Sequence, residues 1–213
     1  MACRILARQG LLEGILGHVS LRVGDDQLLI RCRGPRENGL LFTTPDEVRL
    51  LDFDGDGDLG EYSAPNELPL HTETMRARPD VRSVVHAHPP AVVIADLAGV
   101  RLRPVVGAYN IPATRLAAGG IPVYPRSVLI RRRELAAEML AAMGDRPVCL
   151  LRGHGITTVG ETVEEAVVRA LNVDELARVC LEVARCGGDP DDVSDVDFAE
   201  LPDLGSGFND GFV

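Results

Sequence analysis

The spacing of apolar and polar positions changes along the chain. In the first half, short apolar runs are separated by Gly, Pro and Asn, a pattern typical of adjacent antiparallel strands. The runs predicted as such strands are QLLIRC at 27–32, GLLFTT at 39–44 and EVRLLDF at 47–53. The period then lengthens, which predicts a helix over 66–77 with Asn66 as its N-cap. The run VRSVVHAH at 81–88 is typical of a buried strand.

The clearest helix lies late in the chain, after another strand-like run, RPVCLLRGHG at 146–155. Thr162 and Glu165 have the spacing of a capping box, apolar residues recur behind them at helical spacing, and Gly187 and Gly188 mark the end. Strands interleaved with helices predict a mixed α/β domain.

The length and composition of the chain predict one domain followed by a tail. Its 213 residues are 46% hydrophobic, which is enough for one sizeable core, and we expect the domain to cover 1–188. Residues 189–213 are acidic and contain Gly and Pro. We therefore predict that this tail is loosely ordered.

The charge balance excludes several classes of partner. Twenty-two basic residues stand against 32 acidic ones, the net charge is −10, aromatic residues make up 4% and there is no Trp. The chain therefore offers no basic, stacking-rich face for nucleic acid and no attraction to an anionic membrane. Five cysteines without a C-x-x-C pair indicate reduced thiols. With neither a signal peptide nor a membrane-spanning run in the sequence, we expect a cytoplasmic protein.

Every basic residue is Arg, and the chain contains no Lys. Schiff-base catalysis and covalent attachment of pyridoxal phosphate need a Lys amine, and a phosphate-binding P-loop needs its Lys as well. If the protein makes or breaks carbon–carbon bonds, a group other than Lys must stabilise the negative charge that develops on carbon in the reaction.

Three of the five histidines have the spacing of metal ligands. His86 and His88 are two residues apart in a predicted strand, so their side chains share one face. Alone, this pair fits either a metal site or two buried, hydrogen-bonded histidines. His154 lies between two glycines at the end of another strand, where the backbone can turn sharply. Three neutral imidazoles with an open fourth position would form a catalytic site for Zn²⁺, Mn²⁺ or Co²⁺.

Glu67 is a candidate acid/base at the start of the predicted 66–77 helix. From there its carboxylate could reach a metal-bound substrate and move a proton. The alternative is an ordinary first-turn Glu that interacts with the helix dipole. His71, four residues later on the same helix face, could orient Glu67, and a buried, satisfied histidine is the alternative there.

These residues carry a resemblance to a known family. NELPLHTETMRARPDVRSVVHAHPPA, followed by LLRGHGITTVGETVEEAV, resembles the class II aldolase/adducin family, whose pattern is a Glu, then H-x-H after a turn, then a late H-G before a helix. The resemblance runs from about Gly17 to Arg185. It implies an α/β fold, namely a three-layer α/β/α domain with a central, mostly antiparallel sheet. It also implies a homotetramer with sites at the subunit interfaces.

The resemblance assigns roles to four residues. His86, His88 and His154 would hold one divalent metal ion per subunit (Zn, Mn or Co), and Glu67 would be the catalytic acid/base. In such enzymes the metal acts as a Lewis acid and stabilises the enolate or carbanion left when a carbon bond breaks. A metal would thus replace the missing Lys.

The sequence departs from the phosphosugar members of the family where they hold phosphate. It reads GHVS, RCRG and PNE at the places where those members carry G-N-x-S, T-G and two serines before the Glu. These changes bring in His18 and Arg33, with Arg36 close by. Arg pairs bidentately with a carboxylate, so we expect a small carboxylate substrate. For both arginines, the alternative is a solvated hairpin tip.

GHVS with CRGP resembles the decarboxylase branch of the family, which acts on ortho-dihydroxy aromatic or heteroaromatic carboxylates. The sequence therefore predicts a metal-dependent decarboxylase in which His18 or Glu67 delivers the proton. The predicted substrate site is completed by Ser20, Asn66 and Tyr109. Tyr109 lies near the place where aldolases bring a catalytic Tyr from a neighbouring subunit, with structural packing as its alternative. An aldolase or epimerase is the second hypothesis, and an adducin-like interaction module, disfavoured by the intact ligand set, is the third.

Overall fold

Seven strands form one sheet at the centre of the molecule, whose computed structural model describes residues 1–205. Their order across the sheet is β3-β2-β1-β4-β7-β6-β5. All neighbours are antiparallel except β5 and β6. The strands are β1 (His18–Arg22), β2 (Gln27–Arg31), β3 (Val48–Asp52), β4 (Ser83–Ala87), β5 (Val123–Tyr124), β6 (Val148–Leu151) and β7 (Gly155–Gly160).

Helices cover both faces of the sheet. The helices are α1 (Ala2–Arg8), α2 (Leu68–Ala77), α3 (Pro90–Leu97), α4 (Ile111–Ala117), α5 (Arg133–Met143), α6 (Val163–Arg185) and α7 (Asp195–Glu200). One apolar cluster joins the sheet to α1, α3, α4 and α6, and a second joins the opposite face to α2 and α5. Along β4, Val85 and Ala87 belong to the first cluster and Val84 to the second, as the two-residue period of a strand requires. The predicted three-layer α/β/α architecture with a mostly antiparallel sheet is confirmed.

Two of the three predicted early strands are present and pair with each other as β2 and β3. The third prediction, a strand over GLLFTT, is wrong, because Leu40–Phe42 is a short 3-10 helix. Gly39 enters it with a φ of 89°, and Leu40 is buried while Phe42 is 58% exposed. A short apolar run fits a strand and a helical turn equally well, and here the turn forms.

The starts of two helices test the predicted caps. Thr162 is the N-cap of α6, and its hydroxyl accepts a hydrogen bond from the Glu165 amide at 3.1 Å. The predicted N-cap of α2 is wrong: Glu67, not Asn66, occupies that position. With Asn66 as the cap, Pro69 would be the third helical residue, and Pro has no N–H for a cap to bind.

The segment after α6 lies partly against the domain. Arg103 donates to Asp189 and Asp192, and Arg115 donates to the Leu201 carbonyl oxygen and faces the ring of Phe198. The division into a domain over 1–188 and a loosely ordered tail over 189–213 stays a prediction, and the tail's last residues, 206–213, lie outside the described residues. Among residues 1–205, no helix is long and apolar enough to cross a membrane.

Candidate metal centre

With His86 inside it and His88 directly after its last residue, the central strand β4 carries the H-x-H pair at its end. All five of its residues are buried, and His86 points to the face covered by α2 and α5. The Nδ1 atom of His86 donates to the Ile156 carbonyl oxygen of β7 at 3.0 Å, since a carbonyl can only accept. That bond directs the Nε2 atom of His86 away from β7. On that side Nε2 lies 2.8 Å from the Nε2 atom of His88. The predicted convergence of the two rings is present.

His154 approaches the same point from the β6–β7 hairpin. Gly153, with a φ of 57°, allows the hairpin to turn tightly, and the His154 amide donates to the Leu151 carbonyl oxygen at 2.9 Å. The ring centroid of His154 lies 4.9 Å from that of His86 and 4.8 Å from that of His88. Gly155 permits this approach, because a Cβ there would lie 2.9 Å from the His88 ring and 2.2 Å from the Ala87 carbonyl oxygen.

Glu67 supplies a carboxylate to the three imidazoles. Its Oε1 atom accepts the Ile130 amide at 2.8 Å, which fixes the side chain. Its Oε2 atom lies 3.2 Å from His86 Nε2 and 3.8 Å from His154 Nε2. Burial alone would raise the pKa of this carboxyl, but the hydrogen bond and charge of His86, with the Ile130 amide, hold it well below its usual value. Glu67 is therefore ionised at neutral pH.

The chemistry of these donors fits a divalent metal. One ligand atom from each of Glu67, His86, His88 and His154 lies within 4.8 Å of all the others. Both ring nitrogens of His154 are buried without a hydrogen-bond partner among the described residues. Burial and the neighbouring His86 lower the pKa of His88 to about 3, so its ring is neutral. Lone pairs held this close repel one another unless a proton or a metal cation is shared among them.

Two more histidines extend the cluster along the sheet. His18 of β1 pairs directly with His86 of β4, and their rings stack with centroids 5.6 Å apart. His71 of α2 meets His18 edge-on at 5.7 Å, and its Nδ1 atom lies 2.7 Å from the Ser20 hydroxyl oxygen, a hydrogen bond. His71 thus bonds Ser20 through Nδ1 and makes no hydrogen bond to Glu67, while its Nε2 atom is buried without a partner among the described residues. The alternative of a buried histidine holds, but its hydrogen bonding is satisfied at Nδ1 alone.

Comparison with known proteins decides the family. The model for the class II aldolase and adducin N-terminal domain matches residues 1–181. The chain belongs to the class II aldolase/adducin family. It is 63% identical over 214 residues to a 3,4-dihydroxyphthalate decarboxylase of Arthrobacter keyseri, covering 98% of this chain and 86% of that protein. It is 58% identical to a decarboxylase of the same name from Terrabacter sp. (strain DBF63), covering 99% of this chain and 90% of that protein.

Solved structures of the family confirm the fold. The structure of an L-fuculose 1-phosphate aldolase superposes with a TM-score of 0.76 at 20% identity, covering 93% of this chain and 89% of that chain. At this identity the likeness concerns the fold alone. The fold that brings Glu67 and the three histidines together here is thus shared with that structure.

The predicted substrate residues of this family member fall in different places. Arg33 forms an isolated bridge with Ser63, at the start of the segment that leads to Glu67, and is partly buried. Asn66 is exposed beside Glu67, and Arg36 is exposed in the following loop of β2.

Tyr109 is 72% exposed and donates to Glu175 of α6 at 2.9 Å. It therefore lies on the α6 side of the sheet, opposite α2, and within the described protomer it is not brought together with the histidines.

Two contributors to the site were missed in the sequence. The amide of Ile130, which holds Glu67, is a main-chain group and has no signal in the sequence. Asp96, whose carboxylate accepts the amide of Gly153 beside His154, did have a signal. It is an acidic residue near the C-terminus of a helix, where the helix dipole disfavours a negative charge.

Proposed function

We propose that the protein is a divalent-metal-dependent lyase that decarboxylates an ortho-dihydroxy aromatic carboxylate, with 3,4-dihydroxyphthalate as the first substrate to test. The observation that carries this proposal is the convergence of Glu67 with His86, His88 and His154. High identity to two proteins named as 3,4-dihydroxyphthalate decarboxylases supports the choice of reaction.

The three imidazoles would hold the metal ion, and the Glu67 carboxylate, which lies in the same cluster of ligand atoms, would be within its reach. When bound, the ion would supply a Lewis acid that stabilises the negative charge left as CO₂ departs. The protein fixes the ligands in advance: Ile156 orients His86, and the Gly153 turn orients His154. Three nitrogen donors with a carboxylate suit Zn²⁺, Mn²⁺ or Co²⁺, and we propose one such ion per subunit.

Glu67 would transfer the proton that the reaction needs. Loss of CO₂ leaves an electron pair on the ring carbon, and that carbon must take up one proton to give the product. Because Glu67 is ionised, it can first accept the proton of a substrate hydroxyl through Oε2 and then return it to the carbon. Oε1 stays bound to the Ile130 amide throughout. His18, neutral and stacked on His86, is the second candidate for this transfer.

Arg33 is the proposed partner of the substrate carboxylate. A chain of net charge −10 needs local positive charge to bind a dianion, and Arg33 is joined to the segment that carries Glu67. Arg31 is not available, since it is buried and paired with Glu37 at 2.6 Å and Glu47 at 3.4 Å. Arg36, Ser20 and Asn66 stay as further proposed substrate contacts.

We also propose a cytoplasmic homotetramer. The exposed position of Tyr109 supports a contact between subunits, because a side chain 72% open to solvent on the α6 layer can reach into a neighbouring subunit. Its proposed contact with substrate would then be made in the neighbour's site.

The test is product detection with metal-reconstituted protein. We expect CO₂ from 3,4-dihydroxyphthalate, a loss of about 10²–10⁴-fold in rate in Glu67→Gln, and loss of the activity in His88→Ala. Gln at 67 keeps a carbonyl oxygen for the Ile130 amide, so this variant tests the proton transfer and not the fold. Aldehyde from phosphosugars without CO₂ from the aromatic acid would instead identify an aldolase.

A further inference from the structure

The helix α3 connects the two segments that carry metal ligands. It begins at Pro90, two residues after His88, and ends beside the hairpin that carries His154. Asp96 lies in its last turn with a side chain only 8% exposed. Its Oδ2 atom accepts the amide of Gly153 at 2.7 Å, and its Oδ1 atom lies 3.1 Å from the Nε atom of Arg152.

These contacts act on the turn that presents His154. The turn spans 152–154, and Gly153 at its centre has a φ of 57°. An amide at such a position points out of the hairpin and needs a partner, which Asp96 supplies. The neighbouring Leu97 packs against the same turn, since a Cβ at Gly153 would meet its Cδ2 atom at 3.4 Å.

The location of Asp96 is costly for the helix itself. A carboxylate in the last turn of a helix faces the negative end of the dipole, and its burial adds a desolvation penalty. Among the described residues, the partners that offset both costs are the Gly153 amide and Arg152. The residue therefore serves the hairpin and not the helix.

We propose that Asp96 is a positioning residue for the metal centre: it fixes the 152–154 turn to α3 and so holds His154 at ligand distance from His88. This inference rests on the proposed function insofar as the histidine cluster binds a metal. Removal of the Asp96 carboxylate would leave every ligand residue in the chain. The distance between His88 and His154, however, would no longer be fixed.

The chain offers a matched control in Glu165. Its side chain is 7% exposed, its Oε2 atom accepts the Glu161 amide at 2.7 Å, and its Oε1 atom lies 2.6 Å from Arg169. Asp96 and Glu165 are thus equally buried and have the same kinds of partner, but Glu165 lies beyond the far end of β7 from His154. Loss of either carboxylate should lower stability, and only loss of Asp96 should alter the metal centre.

The experiment measures Co²⁺ affinity by competition with a chelator, the visible absorption of the Co²⁺ form, and the thermal unfolding midpoint of the metal-free protein. We expect Asp96→Ala to weaken Co²⁺ binding about 10- to 100-fold, as is typical for the outer partners of metal ligands. Asp96→Asn keeps a carbonyl oxygen for Gly153 and should restore most of the affinity. Glu165→Ala should lower the midpoint and leave the Co²⁺ affinity and spectrum unchanged.

A further variant keeps the proposal testable if Asp96→Ala does not fold. Asp96→Glu retains the charge but moves the carboxylate by one methylene, and should weaken Co²⁺ binding and change the spectrum. Equal Co²⁺ affinities in the wild type, Asp96→Ala and Asp96→Glu, or equal losses in Asp96→Ala and Glu165→Ala, would overturn the proposal. A wild type that binds no Co²⁺ would overturn the metal centre as well. A wild type that binds Co²⁺ but releases no CO₂ overturns only the proposed function, and the affinities still decide the role of Asp96.

Discussion

The two faces of the central strands β1 and β4 are built from alternate residues of the same segments, yet they differ in kind. On one face Val19, Val85 and Ala87 join an apolar cluster under α6. On the other face His18 and His86 lie side by side, and His18 Nδ1 is buried without a partner in the part of the chain that the structure describes. The first face stabilises the fold, and the second gives up stability to hold a reactive centre.

The largest expected effect comes from removing the histidine at the centre of the reactive face. His86→Ala should weaken metal binding by more than about 100-fold, the upper end of the range for an outer partner, and abolish decarboxylation. The measurement is Co²⁺ competition alongside CO₂ release. If wild-type affinity is retained in this variant, the metal site lies elsewhere.

A smaller effect should separate activity from stability at His18. His18→Leu replaces a buried ring that has an unpartnered nitrogen with an apolar side chain, so we expect the metal-free protein to gain about 1 kcal/mol of unfolding free energy. Activity should fall about 10²-fold if His18 transfers a proton or holds the substrate. Chemical denaturation and CO₂ release measure the two effects. A variant that is less stable and fully active would contradict the comparison between the faces.

The opposite face should show the reverse behaviour. Val85→Ala removes two buried methyl groups from β4, which should cost about 2 kcal/mol of unfolding free energy. Because Val85 points away from His86, Co²⁺ affinity should stay at the wild-type value. Denaturant titration and Co²⁺ competition on the same sample check both statements, and a large loss of affinity would show that the faces are coupled.

The smallest effect is a pH dependence that arises from His71. Burial lowers its pKa to about 3, while in the unfolded chain it titrates near 6.5. Below pH 6.5 the unfolded state therefore binds a proton at His71 that the folded state does not bind. The free energy of unfolding consequently falls as the pH falls towards the folded pKa. Between pH 7 and pH 5.5 this one group should cost about 1 kcal/mol. His71→Asn should lose less stability than the wild type over that interval, and identical slopes would refute the assignment.

The predictable part of the site follows from short-range rules. The two-residue period of a strand placed His86 and His88 together, and the glycines around His154 indicated a turn that exposes a side chain. The family resemblance then gave the fold and the place of Glu67. The rest depends on contacts between distant segments: Ile130 lies 63 residues from Glu67, and Ser20 lies 51 residues from His71. Local spacing carries no information on such pairs, just as it did not reveal that Leu40–Phe42 forms a turn instead of a strand.

All five histidines of the chain belong to one connected set of ring contacts. Every imidazole signal in a nuclear magnetic resonance spectrum of the chain would therefore come from this centre, without background from the surface. The five rings form a built-in reporter: cation loading, substrate arrival and tautomer exchange could each be followed in the unsubstituted protein by labelling a single amino-acid type.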